Sequence, residues 1–130
     1  MLEVICHLAD EERYDFRTRL RSILVDPSAP WSSIDPPVWA VERAYNRRSL
    51  PESLLDFEQE RVRSVEWLRS LDSPDLSITK DHPAIGPISA GDLLTAWLAH
   101  DLIHIRQITR LHYEYLERTS GFSPRYAGDW

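Results

Sequence analysis

Apolar residues return every three or four positions over residues 2–24, and no Gly or Pro interrupts them. Because this spacing puts them on one face of a helix, the pattern predicts an amphipathic helix that ends before Pro27. A polar stripe beside that face contains His7, Glu11 and Tyr14. The positions predicted to face the core are Ile5, Leu8, Phe16, Leu20 and Ile23.

A second helix is predicted from Ser49 to about Leu71, because Pro51 suits a first helical turn and apolar residues recur behind it. Its predicted inward face has one polar interruption and consists of Leu54, Leu55, Glu58, Val62, Val65 and Leu68. Its charged positions are interpreted as a solvated face and comprise Glu60, Arg61, Arg63 and Glu66.

A third helix is predicted to begin after Ser89, because Asp92 follows three residues later in an arrangement like a capping box. It is predicted to run to about Arg118. Two histidines interrupt its apolar seam, where a polar side chain needs a partner. The inward stripe consists of Leu93, Trp97, His100, His104, Ile108, Leu111 and Tyr115.

Proline-containing segments connect these helices and follow the last one. Residues 25–39 contain two tryptophans, which have enough apolar area to pack on the helices rather than stay in solvent. A short helix is predicted over residues 37–46. A hairpin is predicted within residues 72–89, built on Leu76, Ile78, Ile85 and Ile88. The tail, residues 119–130, is expected to pack through Phe122, Tyr126 or Trp130.

The length of 130 residues and the helical pattern predict an all-α fold, a helical bundle in which residues 1–130 form a single domain. The net charge of −6 argues against nucleic-acid binding, which needs a cationic surface. No apolar run approaches the roughly 20 residues that span a bilayer, so no membrane association is expected. The N terminus lacks a signal-peptide pattern and Cys6 is the one cysteine, which together favour a cytoplasmic protein.

Histidines carry the candidate chemistry. His100 and His104 are four residues apart, so both imidazoles project from one face of the helix and can share one metal ion. His7, on another helix, is a candidate third ligand. Three protein ligands with an open position are typical of a catalytic metal site rather than a structural one. Acidic or amide groups that can orient the imidazoles lie close by in sequence, namely Glu11, Asp101 and Gln107.

Several other motifs find little support. His100-Asp-Leu-Ile-His104 resembles the zinc-protease HExxH motif, but Asp101 is one methylene shorter than the glutamate base of that motif. Neither the Glu-x-x-His elements of a di-iron bundle nor a phosphate-binding glycine loop occurs. Cys6 is interpreted as a packed structural thiol, since adjacent helical residues point about 100° apart and would not share a ligand sphere with His7.

Three segments resemble the DinB-like superfamily, which includes the YfiT-like proteins and bacterial thiol-dependent S-transferases. They are His7-Leu-Ala-Asp-Glu-Glu-Arg, His82-Pro-Ala-Ile-Gly-Pro-Ile-Ser and the stretch from Leu93 to Ile108 that contains the two histidines. The resemblance implies an up-down four-helix bundle. It also implies a divalent metal ion (zinc, nickel, iron or manganese) held by His7, His100 and His104. Members use the metal to activate a low-molecular-weight thiol or a water for S-transfer or hydrolysis.

The resemblance has one departure. A further helix usually precedes the segment that matches His7, so the resemblance implies a bundle with its N-terminal helix truncated or absent. Such a bundle would expose an apolar groove, and we therefore expect a homodimer.

The expected activity is a metal-dependent S-transfer or hydrolysis on a small-molecule substrate. Glu11 and Asp101 are the candidate catalytic residues that tune the metal site, and Tyr14 and Trp97 are the candidates for lining the cofactor pocket. The alternative is a non-catalytic helical interaction module that the metal only stabilises. A third possibility is a degenerate member that binds no metal.

Overall fold

The computed structural model describes residues 1–128, in which four helices and one small hairpin account for most of the chain. The predicted all-α fold is confirmed, as are the three long helices. Helix α1 has three continuous parts: α-helical Leu2–Asp10, π-helical Glu11–Phe16 and α-helical Arg17–Leu24. The other helices are α2 (Pro36–Glu42), α3 (Leu50–Ser70) and α4 (Ala90–Thr119), and the strands are β1 (Thr79–His82) and β2 (Gly86–Ser89). Two short 3₁₀ turns span Tyr45–Arg47 and Arg125–Ala127.

Side-chain caps fix where three of the helices begin. The Asp35 carboxylate accepts a hydrogen bond from the backbone N–H of Val38, and α2 begins one residue after Asp35. The Ser49 hydroxyl caps α3 in the same way. Ser89 and Asp92 form the predicted capping box at the start of α4. Each cap satisfies a backbone donor that would otherwise lack a partner at the helix start.

The predicted hairpin is confirmed, and it leads directly into α4. Strands β1 and β2 are antiparallel, with Thr79 opposite Ser89 and His82 opposite Gly86. Gly86 has φ +78°, a conformation that a three-residue hairpin loop commonly requires at this position. Trp31 packs against the larger apolar cluster of the helices, as predicted for the proline-containing loop, and its Nε1 also donates a hydrogen bond to the carbonyl of Asp81 in the hairpin.

Helix α1 contributes to two separate apolar clusters. Near its N terminus, Val4, Ile5 and Leu8 pack against α3 and α4. Toward its C-terminal end, a larger cluster consists of Phe16, Leu20, Ile23, Ala90, Leu93 and Trp97. The middle of α1, between these clusters, is polar and buried, with Asp10, Glu11, Glu12 and Asp15 each less than 10% exposed. The fold therefore has a polar layer between two apolar clusters.

The predicted inward face of α3 holds at Leu68, which packs against the larger apolar cluster, but is wrong at three other apolar positions. Leu54, Leu55 and Val62 are 43%, 53% and 54% exposed, whereas Glu60 is 1% exposed. The other buried residues of α3 are Ser53 and Ser64. The reason is the polar layer of α1, because Arg13 and Arg17 both bond the Glu60 carboxylate. A charged group that is buried away from water is stable only beside an opposite charge. The two arginines therefore keep Glu60 on the inward face of α3.

Two predictions about exposed positions are also wrong. Tyr115, assigned to the inward stripe of α4, is 65% exposed, whereas the stripe holds from Leu93 to Leu111. Phe122 and Tyr126 were expected to pack the tail and are 84% and 105% exposed, because neither lies on a helix that reaches an apolar cluster. Trp130 lies outside the described residues. In residues 1–128, we find no helix with the length and apolar character that crossing a bilayer requires.

Candidate metal centre

Three imidazoles from two helices meet at the edge of the polar layer. His7 comes from α1, and His100 and His104 come from successive turns of α4. One ring nitrogen of each histidine lies within 4.8 Å of the other two, so the three residues can hold one metal ion. The rings of His7 and His104 are 4.8 Å apart between centroids, and those of His100 and His104 are 4.4 Å apart. The structure thus brings together the three histidines predicted as ligands.

Hydrogen bonding sets the orientation of the His104 ring. Its Nδ1 lies 2.8 Å from Oε1 of Gln107, an atom that can only accept, so Nδ1 carries the proton. Nε2 of His104 then presents its lone pair, and it lies 3.1 Å from Nε2 of His100. A partner that fixes the tautomer in this way is usual for a histidine that binds metal.

Glu11 stands in the corresponding position beside His7. Its Oε1 is buried, has no hydrogen-bond partner among the described residues and lies 3.8 Å from Nδ1 of His7. Burial, together with a hydrogen bond to Asp15 and the charge of Asp15, raises the pKa of Glu11 to about 8. The chemistry of this set fits a metal ion, because the Glu11 carboxyl group faces Nδ1 of His7 and leaves Nε2 as the nitrogen that can bind the ion.

His7 and His100 are held in the neutral form. Burial, with the neighbouring charges of His104 and then His100 acting in the same direction, lowers the pKa of His7 to about 4. Burial, followed by the charge of His104, also lowers the pKa of His100. Neutral imidazole is the form that binds metal, so at neutral pH these two side chains already have their lone pairs available.

A cavity of about 270 Å³ adjoins the histidines. Its wall combines α1, α2, Tyr45 and α4. The lining residues are Glu3, Val4, His7, Pro36, Pro37, Ala40, Tyr45, His104 and Gln107. A ligand in this cavity would therefore lie directly against two of the three imidazoles.

Asp101 lies next to His100 in sequence, and an arginine holds it. Its two carboxylate oxygens accept hydrogen bonds from Arg61 at 2.7 and 2.9 Å. The same guanidinium lies 2.9 Å from the buried Glu12 carboxylate. Glu12 in turn accepts from Nε1 of Trp97 at 2.9 Å. Asp101 is thus part of a network that joins all three long helices.

The two residues predicted to line a cofactor pocket lie elsewhere. Trp97 is 4% exposed and stacks on Phe16 at 5.7 Å, and Phe16 in turn contacts the ring of His100. Tyr14 is 41% exposed and packs edge-on against Trp39. Neither side chain lines the cavity. Their roles in cofactor binding stay predictions.

The sequence reading missed the π-helical segment and the buried acids that it carries. A π turn inserts one residue into the helical register, and such segments often occur at functional sites. Here it buries Glu11 and Glu12, and then Asp15 and Phe16, on the side that faces α3 and α4. The available signal was the run Asp10-Glu11-Glu12, which falls where the apolar period of α1 lapses between Leu8 and Phe16.

Cys6 is a packed thiol, as predicted. It is 1% exposed and lies 3.4 Å from the Ser53 hydroxyl on α3.

Comparison with known proteins supports the family indicated by these features. A search of curated proteins finds no match. The sequence model of the DinB superfamily matches residues 1–108, a range that includes all three histidines. The chain belongs to the DinB superfamily.

Proposed function

We propose that this protein is a divalent-metal-dependent enzyme that activates a thiol or a water for S-transfer or hydrolysis. One observation carries the proposal, namely three imidazoles that converge beside a cavity of about 270 Å³. His7, His100 and His104 would hold the ion. Three ligands leave a coordination position open, which is the arrangement of catalytic sites.

The proposed chemistry needs an ion that is zinc, nickel, iron or manganese, all of which imidazole binds. When bound, such an ion lowers the pKa of a coordinated thiol or water and so supplies a nucleophile at neutral pH. The cavity would hold the body of the reacting molecule against His7 and His104.

The residues around the histidines have supporting roles in this proposal. Gln107 keeps the proton of His104 on Nδ1. Glu11 would accept a hydrogen bond from Nδ1 of His7, which makes the other ring nitrogen a stronger ligand for the metal ion. The charge of Asp101 opposes the effect of burial on His100, since it raises the pKa that burial lowers. Glu11 and Asp101 therefore adjust the basicity of the ligands.

Cobalt substitution tests the proposal. The metal-free protein is loaded with Co²⁺ and titrated with 2-mercaptoethanol, while thiolate-to-cobalt charge-transfer absorption is recorded. We expect a new band that saturates at one thiol per cobalt and is absent in His104→Ala. The control, His112→Ala, changes an exposed histidine two turns further along α4 and should keep the band. Cobalt binding without any thiol band would contradict thiol activation.

A non-catalytic role is the second candidate, and one observation favours it. The three imidazoles come from α1 and α4, so an ion would link the two helices and stabilise their packing. This role predicts that chelation lowers the melting temperature, whereas thiols neither bind the cobalt form nor compete for its metal. The same titration therefore separates the two candidates.

We also propose that the protein forms a homodimer through the outward face of α4. Leu98, Leu102 and Ile105 are 60%, 66% and 59% exposed. Their spacing of four and then three residues is that of a coiled-coil seam. Thr109 and His112 occupy its next two positions, and Leu116, 54% exposed, lies two heptads beyond Leu102. Sedimentation equilibrium should give a dimer that Leu102→Glu converts to a monomer. A wild-type monomer at every concentration would contradict this proposal.

A further inference from the structure

The cavity beside His7 and His104 is mainly apolar, and its charge has one sign. Val4 of α1 and Pro36, Pro37 and Ala40 of α2 form much of its wall. Glu3 is the one carboxylate among the described lining residues, and no described arginine or lysine lines the cavity. Glu3 is exposed and forms no ion pair with any residue that the structure describes. Its charge is therefore uncompensated at the edge of the cavity.

The arginine that directly follows α2 is already engaged. Arg43 lies 2.8 Å from the Asp10 carboxylate, which also accepts a hydrogen bond from the Tyr45 hydroxyl. Breaking a buried carboxylate's ion pair is costly, so Arg43 is held away from a ligand in the cavity. Among the described side chains that line the cavity, a carboxylate or phosphate on the ligand would therefore meet the charge of Glu3 and no positive charge. A bound ion would attract the sulfur end of every thiol, so Glu3 is the side chain that distinguishes one end group from another.

The volume of the cavity also limits what it can hold. About 270 Å³ lies at the small end of the range for ligand sites. One face of the cavity is rigid in backbone, because Pro36 and Pro37 begin α2. A compact molecule fits this space, whereas a long peptide-like thiol would extend out of it.

We propose that this cavity selects a small thiol with a short apolar body and an uncharged or cationic end group, and disfavours thiols that carry a carboxylate. Glu3 is the residue that sets the charge preference, and Ala40 limits the size. This inference rests on the proposed function, since the thiol sulfur would be the atom that reaches the metal.

Three probes of similar length test the charge preference on the cobalt-loaded protein: cysteamine, 2-mercaptoethanol and 3-mercaptopropionate. Dissociation constants are taken from the charge-transfer absorption at low ionic strength, where Coulomb effects are least screened. Glu3→Gln should weaken the preference for cysteamine over 3-mercaptopropionate about threefold. The matched control, Glu58→Gln, removes an exposed acid of α3 outside the cavity and should leave the preference unchanged.

Filling the cavity tests the size limit. Ala40→Phe should weaken binding of all three thiols at least tenfold, while cobalt binding and the spectrum of the thiol-free form stay as in the wild type. The same ratio of affinities in Glu3→Gln as in the wild type, or undiminished binding in Ala40→Phe, would overturn this inference and leave the proposed function intact. No thiol band with any probe would overturn this inference together with the thiol-activating form of the proposed function.

Discussion

Helices α3 and α4 are both long and amphipathic, yet they bury opposite kinds of side chain. The inward face of α4 is apolar at Leu93 and Trp97 and continues into the two metal-site histidines. The fully buried residues of α3 are Ser53, Glu60 and Ser64, while Leu54, Leu55 and Val62 face outward. The cause lies in the middle of α1, where Arg13 and Arg17 meet α3, whereas Phe16 stacks on Trp97 of α4.

This contrast shows when an apolar period identifies the buried face of a helix. The rule works for α4 because most of its partner surface is apolar. It fails for α3 because leaving Arg13 and Arg17 without the Glu60 carboxylate would cost more free energy than the burial of another leucine would gain. The polar contact with α3 holds the middle of α1 in place, and this position of α1 puts His7 beside the two histidines of α4.

The largest effect is expected on the apolar side of the comparison. Trp97→Ala removes a buried ring that stacks on Phe16 and bonds Glu12, so the free energy of unfolding should fall by about 3–5 kcal/mol. Urea denaturation of the metal-free protein measures this change. The neighbouring substitution Leu98→Ala, at a position that is 60% exposed, should change it by less than about 0.5 kcal/mol at protein concentrations low enough to keep both variants monomeric. Equal losses in the two variants would contradict the assigned face of α4.

On the polar side, Glu60 is the residue whose loss should cost most. Burial by itself raises its pKa, but the hydrogen bonds and charges of Arg17 and Arg13 outweigh burial and bring the pKa down to about 2 from an ordinary 4.5. Since the folded pKa is the lower one, Glu60 stabilises the fold fully above pH 4.5, and this contribution is lost as the pH falls toward 2.

Glu60→Gln should therefore lower stability at pH 7 by about 2–3 kcal/mol and by much less near pH 2. Urea denaturation at a series of pH values gives the difference between variant and wild type. Glu58→Gln, an exposed acid on the same helix, serves as the control and should show no such pH dependence. A stability difference between Glu60→Gln and the wild type that does not change with pH would show that the charge of Glu60 does not stabilise its contact with α1.

A smaller effect is expected where α4 supports the metal site. Gln107→Ala removes the acceptor that holds the proton of His104 on Nδ1, so affinity for Zn²⁺ should fall about 10- to 100-fold. Competition with a chromophoric chelator measures this affinity. Gln59→Ala replaces the other glutamine of the chain, on the exposed side of α3, and should leave the affinity unchanged. Unaltered affinity in Gln107→Ala would mean that this bond does not orient the ligand.

The smallest effect is expected on the outward face of α3. Val62→Gln replaces an apolar residue that is 54% exposed, so monomer stability should stay within about 0.5 kcal/mol of the wild type. Urea denaturation at low protein concentration checks this. A fall of 2 kcal/mol or more in the free energy of unfolding would show that Val62 lies on the buried face, as the apolar period predicts.

These cases also show what the sequence can reveal about this protein. The helix starts were predictable because Ser49 and Ser89 are local caps whose partners lie three residues away. The pairing of His100 with His104 was predictable for the same reason, since four residues make one turn. The burial of Glu60 was not predictable, because its partners Arg13 and Arg17 are more than forty positions distant along the chain.

The residues around the site also divide into those whose partners are close in sequence and those whose partners are distant. Gln107 lies one turn from His104, and sequence proximity was enough to nominate it. The burial of Glu12 depends on partners in α3 and α4, namely Arg61 and Trp97, and the sequence shows only that the apolar period of α1 lapses there. The cavity beside His7 likewise needs the packing of α2 against α1, which the sequence alone does not specify.

Metal content tests the central claim most directly. Untagged protein, reloaded with zinc or nickel and freed of excess metal, is compared by elemental analysis with His7→Ala, His104→Ala and the exposed control His112→Ala. We predict about one metal ion per chain in the wild type and in His112→Ala, and its loss in the other two variants. No metal in the wild type after reloading, or full retention in both His7→Ala and His104→Ala, would contradict a site shared between α1 and α4.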